Sequence, residues 1–585
     1  MNKEWSLDVL YKGYDDPKFA ADEARMDALI AEFTEFSKDP SGDPSDVLRR
    51  YITMEQELTA LMSDLFEYCM LRMSTNSSDV ESKAAAGRLA QKRSSLAGPE
   101  TAFTQYIAGL EDLDAVIGDD ELLKEHEFFL KSIKDDARYT LSPEVEEVMS
   151  LYAITGSSAW SELHGFLTST VPVEYDGRIT NLSEVRNLAY DPDPEVRKKA
   201  YEAEIKCYDR IRDGSAFSLN SIKMEVINRC RLRGFETPLD ETLHQSHMKK
   251  ETLEALLGAI EEYLPKFWEY LRAKAELLGH KNGLPFYDLF APLEGNTDTY
   301  TTEQAKEYLV HLFSGFDKDE ADMIARAFDE AWIDFYPREG KGGGAFCSPL
   351  HTHKQSRIGT NYGEMLGDVI TLAHELGHAF HNFCLQDNSI LNIDVSMPVA
   401  ETASTFNEVV AMNAAIAEQK DPVVRRALIE NQLQDATQVV VDIYSRYLFE
   451  KSVFDNRQSG FMFADRLCEL MEDAQKKAYG TGLDHDCLHP YMWVCKGHYY
   501  GGGLSYYNWP YAFGGLFARG LYAKYLEQGE EFVPLYKKLL KATGTTTVEG
   551  AAEVAGIDLT DKEFWRASLQ VLADEIDQFV ELCKN

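Results

Sequence analysis

The sequence predicts a mostly α fold with small β elements, and three observations predict it. Apolar residues recur at spacings of three and four through most of the 585 residues. Strand-like alternation is confined to short stretches near 171–181 and 345–363. The stretch with the strongest chemical signal, DVITLAHELGHAFHNFC at 368–384, is itself helical in pattern: Leu372, Leu376, Ala379 and Phe383 fall at i, i+4, i+7 and i+11 on one face.

The N-terminal part reads as long helices over 17–37, 45–73 and 79–111, separated by Ser, Asp, Pro and Gly breaks. Such helices pack as an up-and-down layer. In the second, Met54, Leu58, Leu61, Met62, Leu65 and Met70 are expected to be core packing rather than a methionine-rich binding stripe. Asp176-Gly177, between VPVEY and RITNL, signals a hairpin over 171–181. Helices then run from 193 to about 288 with a break at 233–241, and PLEGNTDTYTT (292–302) is a candidate linker or surface loop. After a glycine-rich turn at 341–345 a short sheet is expected over 345–363. Its strand near 356–362 either pairs by its edge with a substrate backbone or is a buried structural strand.

His374-Glu375-Leu376-Gly377-His378 is an H-E-x-x-H within the 368–384 helix. Two imidazoles four residues apart converge on one ion, and zinc suits imidazole with one carboxylate. Glu375 then projects beside the ion as a general base. Gly377 sits mid-helix at a cost of about 1 kcal/mol relative to Ala. A catalytic site needs a third protein ligand and an open position. A His ten residues after the first is disfavoured, because Cys384 stands there and His381 occupies the expected glycine position. The helix predicted over 396–418, with Ser396 as cap and Pro398 in its first turn, supplies Glu401 as third ligand. Glu408, seven residues on and on the same face, is expected to orient a ligating His, and Ser404 and Thr405 read as ordinary helix residues. His351 and His353 receive no role. His485, Cys487, His489 and Cys495 match no standard zinc-finger spacing, so one ion is expected rather than two.

HELGHAFH followed by PVAETASTFNE resembles the oligoendopeptidase F branch of the thimet oligopeptidase family of zinc peptidases. WSLDVLYKGYDDPKF (5–19), FYPREGKGGGAFC (335–347), TNYGEMLGDVITLAHELGH (360–378) and HYYGGGLSYYNWPYAFGGLFARGLY (498–522) extend the resemblance from near residue 5 to about 525. It implies a large helical ellipsoid with a deep substrate cleft, gluzincin-type zinc helices and a small β-sheet beside the active site. It also implies an N-terminal helical region (1–190) ahead of a zinc peptidase catalytic domain (191–585). The implied activity is cleavage of internal bonds in short, unfolded peptides with one zinc ion. His498 and Tyr507 are implied as donors to the reaction's oxyanion. Trp509 stands where some relatives carry another Tyr, so Tyr511 and Tyr500 are kept as further candidates. The run Gly501-Gly502-Gly503 is either a hinge or a tight turn.

The formal charge is −39, with no basic patch, which disfavours a nucleic-acid partner. An acidic field favours neutral or cationic peptides over acidic ones, although solubility explains the charge equally well. No membrane span or secretory leader is expected. Nine scattered cysteines do not form a disulfide framework, and the expected location is cytoplasmic. Two rivals are an exopeptidase with the same zinc chemistry, resembling a dipeptidyl carboxypeptidase or aminopeptidase, and a non-catalytic helical scaffold with a closed metal site.

Overall fold

The computed structural model describes residues 2–293 and 299–584, so the middle of the candidate linker 292–302, residues 294–298, lies outside the described residues. The N-terminal layer begins with helices Pro17–Lys38 and Pro44–Thr75. Asp16 and Asp43 cap them through the N–H groups of Lys18 and Ser45, and each helix starts on a proline whose missing N–H costs nothing there. The run expected over 79–111 is two helices, Val80–Ser94 and Ala97–Gly109. Pro99 explains the break: it has no N–H to donate, and a continuous helix would drive its ring into the carbonyl of Ser95. Leu58 and Leu65 are buried in this layer's core, and Met54 nearly so, whereas Met70 is 51% exposed and packs no core.

The expected hairpin is present. Val173–Tyr175 pairs with Arg178–Thr180, and Asp176 (φ 47°) and Gly177 (φ 75°) both take the left-handed conformation of a two-residue hairpin turn. Beyond it run helices Pro194–Tyr208, Arg212–Arg233, Pro238–Gln245 and Lys250–Leu277. Three apolar cores result. One belongs to the N-terminal layer, one joins residues near 171–222 to 449–500, and the largest surrounds the H-E-x-x-H helix.

A three-stranded sheet flanks that helix, in the order Ile333–Asp334, Gln355–Gly359, Phe346–Leu350. Gln355–Gly359 is therefore the middle strand, parallel to one neighbour and antiparallel to the other. Both of its edges are occupied, which overturns the expectation that it could offer an edge to substrate. The outer strand is Phe346–Leu350. Among the described residues no helix is long and apolar enough to cross a membrane.

Candidate active site

The H-E-x-x-H helix spans Leu366–Leu385 and packs against the helix Thr402–Glu418. Gly377 is the point of closest approach. A Cβ there would lie 2.5 Å from the Ala403 carbonyl oxygen and 2.6 Å from the Ser404 Cα. The helix propensity lost at this glycine, about 1 kcal/mol, is therefore spent on bringing two backbones together. Their contact sets His374 and His378 opposite Glu401. His374 Nε2 lies 3.4 Å and His378 Nε2 3.3 Å from Glu401 Oε2. The three donor atoms all lie within 4.8 Å of one another, the only such group of three among the described residues.

Glu401 is not inside a helix. The run expected over 396–418 is broken into Met397–Ala400 and Thr402–Glu418, and Glu401 forms the joint at φ −93°, ψ 9°. Ser404, read from sequence as an ordinary helix residue, holds the joint: its Oγ donates to Glu401 Oε2 at 2.7 Å. On the far side, a Cβ at Gly514 would sit 3.3 Å from Glu401 Cβ, so the helix Trp509–Gln528 also closes on this carboxylate. Burial works to raise the Glu401 pKa, but His378, Ser404 and His374 outweigh it and bring it down to about 2. Two imidazole nitrogens and a carboxylate make a donor set suited to zinc. About a quarter of each imidazole side chain remains exposed, so the group opens to solvent.

Glu375 projects between these donors and the sheet. It is 5% exposed, its Oε2 has no hydrogen-bond partner, and its charge is felt by Cys347 on the outer strand. Burial raises its pKa against the opposing pull of His374 and His378. Glu408 Oε1 lies 3.0 Å from His374 Nδ1, the ring nitrogen facing away from Glu401. Burial disfavours a charged His374, yet the Glu408 carboxylate more than compensates and raises its pKa.

The structure sorts the C-terminal tyrosines. Tyr499, Tyr500 and Tyr506 turn inward. Tyr500 stacks on His164 and donates to the Trp493 carbonyl at 3.1 Å, which removes it from the oxyanion candidates. Tyr506 takes a left-handed φ of 54° and is buried, whereas Tyr507, in the turn that follows, is only half-buried. His498, Tyr507 and Tyr511 then form one ring cluster, with centroids 4.9 Å (His498–Tyr507), 5.6 Å (Tyr507–Tyr511) and 6.1 Å (His498–Tyr511) apart. Burial, Tyr507 and the Glu401 charge all raise the Tyr511 pKa, so its hydroxyl keeps its proton. Burial, with Arg446 and Lys496 nearby, lowers that of His498.

The glycine run bends at Gly502 and Gly503. None of Gly501, Gly502 or Gly503 has a positive φ. Gly502 instead permits a close approach, since a Cβ there would meet Ser157 Cβ at 2.4 Å, and its carbonyl accepts from Arg229. The remaining histidines stay apart from the site. His351 meets the Asn388 carbonyl, His353 meets Asp64, His485 meets the Gly480 carbonyl and His489 lies against Glu204.

Two sizeable cavities border the segments that carry the site, although neither has the three donors in its wall. One, of about 830 Å³, lies between Tyr51, Met62 and Phe129 of the N-terminal layer and the stretch 390–397 leading to Glu401. The other, of about 690 Å³, lies behind His498 and is lined by Cys495, Lys496 and Gly497.

The chain is similar to proteins of known class. Oligopeptidase PepF of Bacillus subtilis is 23% identical over 99% of this chain and 87% of its own. An oligoendopeptidase F homolog of Borreliella burgdorferi is 21% identical over 99% and 98%. Among solved structures, oligoendopeptidase-F from Enterococcus faecium superposes with a TM-score of 0.70 at 19% identity, covering 96% of this chain and 99% of that one. A Chlamydophila abortus protein superposes with a TM-score of 0.86 at 18% identity, covering 99% and 98%. The pattern of the oligopeptidase F N-terminal region matches residues 108–171, and that of peptidase family M3 matches 187–571, about two thirds of the sequence, with all the site residues described above inside it. This chain belongs to peptidase family M3.

Proposed function

We propose that this metallopeptidase is a zinc-dependent oligoendopeptidase that hydrolyses internal bonds of short, unfolded peptides. The observation that carries the reading is Glu375: a nearly buried carboxylate with an unpartnered oxygen beside three converging metal donors. His374, His378 and Glu401 are the residues that would hold the ion. Bound there, zinc supplies Lewis-acid polarisation of the scissile carbonyl and of water. Glu375 takes the proton from the attacking water at its free oxygen and delivers it to the leaving amine nitrogen. Its raised pKa brings it nearer the range where a carboxylate both accepts and returns a proton. Glu408 holds the His374 ring through Nδ1, fixing which nitrogen faces the ion. Tyr507, Tyr511 and His498 donate hydrogen bonds to the oxyanion that develops on the carbonyl. Tyr511 retains the proton such a donor needs.

Short peptides are the substrate class that the oligopeptidase relatives support. The nine cysteines stand as free thiols, which supports a reducing, cytoplasmic setting. The test is hydrolysis of a peptide of about ten residues blocked at both ends, beside a folded protein, with and without a zinc chelator. Chelator-sensitive internal cleavage of the peptide alone is expected. Glu375→Gln should keep its zinc and lose roughly 10²–10⁴ in kcat. Cleavage only of peptides with a free terminus would replace the reading with an exopeptidase. Full activity of Glu375→Gln would remove the general-base assignment.

A further inference from the structure

The cavity behind His498 carries a charge pattern at odds with the rest of the molecule. The whole chain bears −39, yet this cavity has one cation more than its anions can pair. Three of its lining residues are cationic (Arg186, Arg197 and Lys496) and two are anionic (Glu204 and Asp442). Arg197 is committed, with its Nε 2.7 Å from Asp288 and further bonds to the carbonyls of Asp191 and Pro192. Arg186 lies 3.3 Å from Glu204, which also accepts from Tyr208 and meets His489. Asp442 is taken by Arg446 and by the Tyr479 hydroxyl. Lys496 is left over. Among the described residues none accepts a hydrogen bond from its ammonium, and none stands within 4 Å as a counter-ion.

That ammonium is only partly exposed, and burial depresses its pKa despite the pull of Asp442. A half-buried cation without a partner is a cost to the fold, and a ligand carboxylate would remove it. The position suits a substrate. Lys496 precedes His498 by two residues, and Gly497 lies in the cavity wall between them. The wall also includes Gln438 and Asp442 from the π-helical turn Gln438–Asp442. Val439 of that turn closes on Gly515, the neighbour of the Gly514 that abuts Glu401. The turn that lines the cavity thus packs against the helix that abuts Glu401. Its volume of about 690 Å³ falls within the roughly 300–1,000 Å³ of ligand pockets.

We propose that this cavity is a substrate subsite that takes a peptide carboxylate, with the Lys496 ammonium as its counter-charge. The inference rests on the peptidase reading and deepens it. In an otherwise acidic molecule, one cation fixes where along a bound peptide a negative charge is accepted. The carboxylate comes from the peptide's C-terminus or from an Asp or Glu side chain, and the two sources are separable.

The test compares three zinc-loaded proteins: wild type, Lys496→Met and Lys496→Glu. Each receives an end-blocked neutral peptide, the same peptide with a free C-terminal carboxylate, and a set with single Asn→Asp changes on either side of the cleaved bond. One placement of the carboxylate should raise wild-type kcat/KM by about 10- to 100-fold, mainly through KM, the worth of one charge-assisted hydrogen bond. Lys496→Met should lose that gain, and Lys496→Glu should prefer the neutral peptide or one with Lys at that place. A gain from the free terminus identifies the C-terminus as the source, and a gain from Asp identifies a side chain. Each protein's cleavage of the neutral peptide is the reference for its own carboxylate preference, which keeps the peptidase reading separate. If that peptide is not cut, calorimetric binding of the free-acid and amidated forms still reads the subsite. A carboxylate preference unchanged in Lys496→Met, or no preference in wild type, overturns the proposal.

Discussion

The two halves of the candidate site are held in different ways. His374 and His378 sit on one helix and Glu401 at the joint that opens another, and the two backbones meet at Gly377 with no room for a Cβ. His498, Tyr507 and Tyr511 sit on a short helical turn, an irregular loop and the first turn of the next helix. That loop is secured from afar, by Ser157 against Gly502 and by Arg229 on the Gly502 carbonyl. Metal ligands must converge within tenths of an ångström before any substrate arrives, and helix packing gives that rigidity. Oxyanion donors act on a charge that appears only during reaction, and a loop held at a few points leaves them room to adjust.

The comparison breaks first at Gly377. In Gly377→Ala the added Cβ meets backbone rather than a flexible side-chain tip, so the two helices must part. Overpacking of this kind costs about 1–3 kcal/mol. The expected outcome is a lower Tm together with zinc well below one equivalent, measured by metal analysis after dialysis. Gly503→Ala is the counterpart in the loop: nothing lies within 4 Å of its Cβ position, so Tm and zinc content should stay as in wild type. Equal losses in the two variants would erase the distinction between the halves.

The same distinction explains what was legible from residues alone. The ligand half is local. His374 and His378 are four apart on one periodic helix, and Glu401 follows within the next apolar-periodic run, so spacing was enough to assemble them. Spacing did not reveal that Glu401 is a joint between two helices, because the break is held by Ser404 and by the distant Gly514. The donor half depends on side-chain direction. Tyr500 and Tyr507 look alike in sequence, yet the first is buried in a stack on His164 and the second stays half-buried in the turn after Tyr506. The sheet shows the same limit. Alternation indicated a strand near 356–362, but only pairing with Ile333–Asp334 on one side and Phe346–Leu350 on the other makes Gln355–Gly359 the middle one.

A smaller effect is expected within the loop half. Tyr507→Phe should lower kcat by roughly 10²–10³, the usual loss for one oxyanion donor, with zinc content and Tm unchanged. Tyr511→Phe should lose about ten-fold, as the weaker of the two tyrosine donors in the ring cluster. If the two magnitudes are exchanged, Tyr511 is the stronger donor. Tyr500→Phe gives the baseline, since its hydroxyl serves the Trp493 carbonyl and its loss should leave the rate alone.

The smallest effect returns to the rigid half and asks how far its rigidity extends. Glu408 touches no metal donor atom of the group; it holds the opposite nitrogen of His374 at 3.0 Å. If helix packing alone sets the imidazole, Glu408→Ala should leave zinc affinity intact. If the carboxylate selects the tautomer and the ring angle, affinity should fall about 10- to 100-fold, the usual loss when such a partner is removed. The second outcome is expected, because burial disfavours charge on His374 and only Glu408 and its acidic neighbours offset that penalty. Competition with a chromogenic chelator reads the change directly, with Glu401→Ala, which removes a donor, as the upper bound. An affinity unchanged in Glu408→Ala but lost in Gly377→Ala would assign the whole geometry to the contact between backbones.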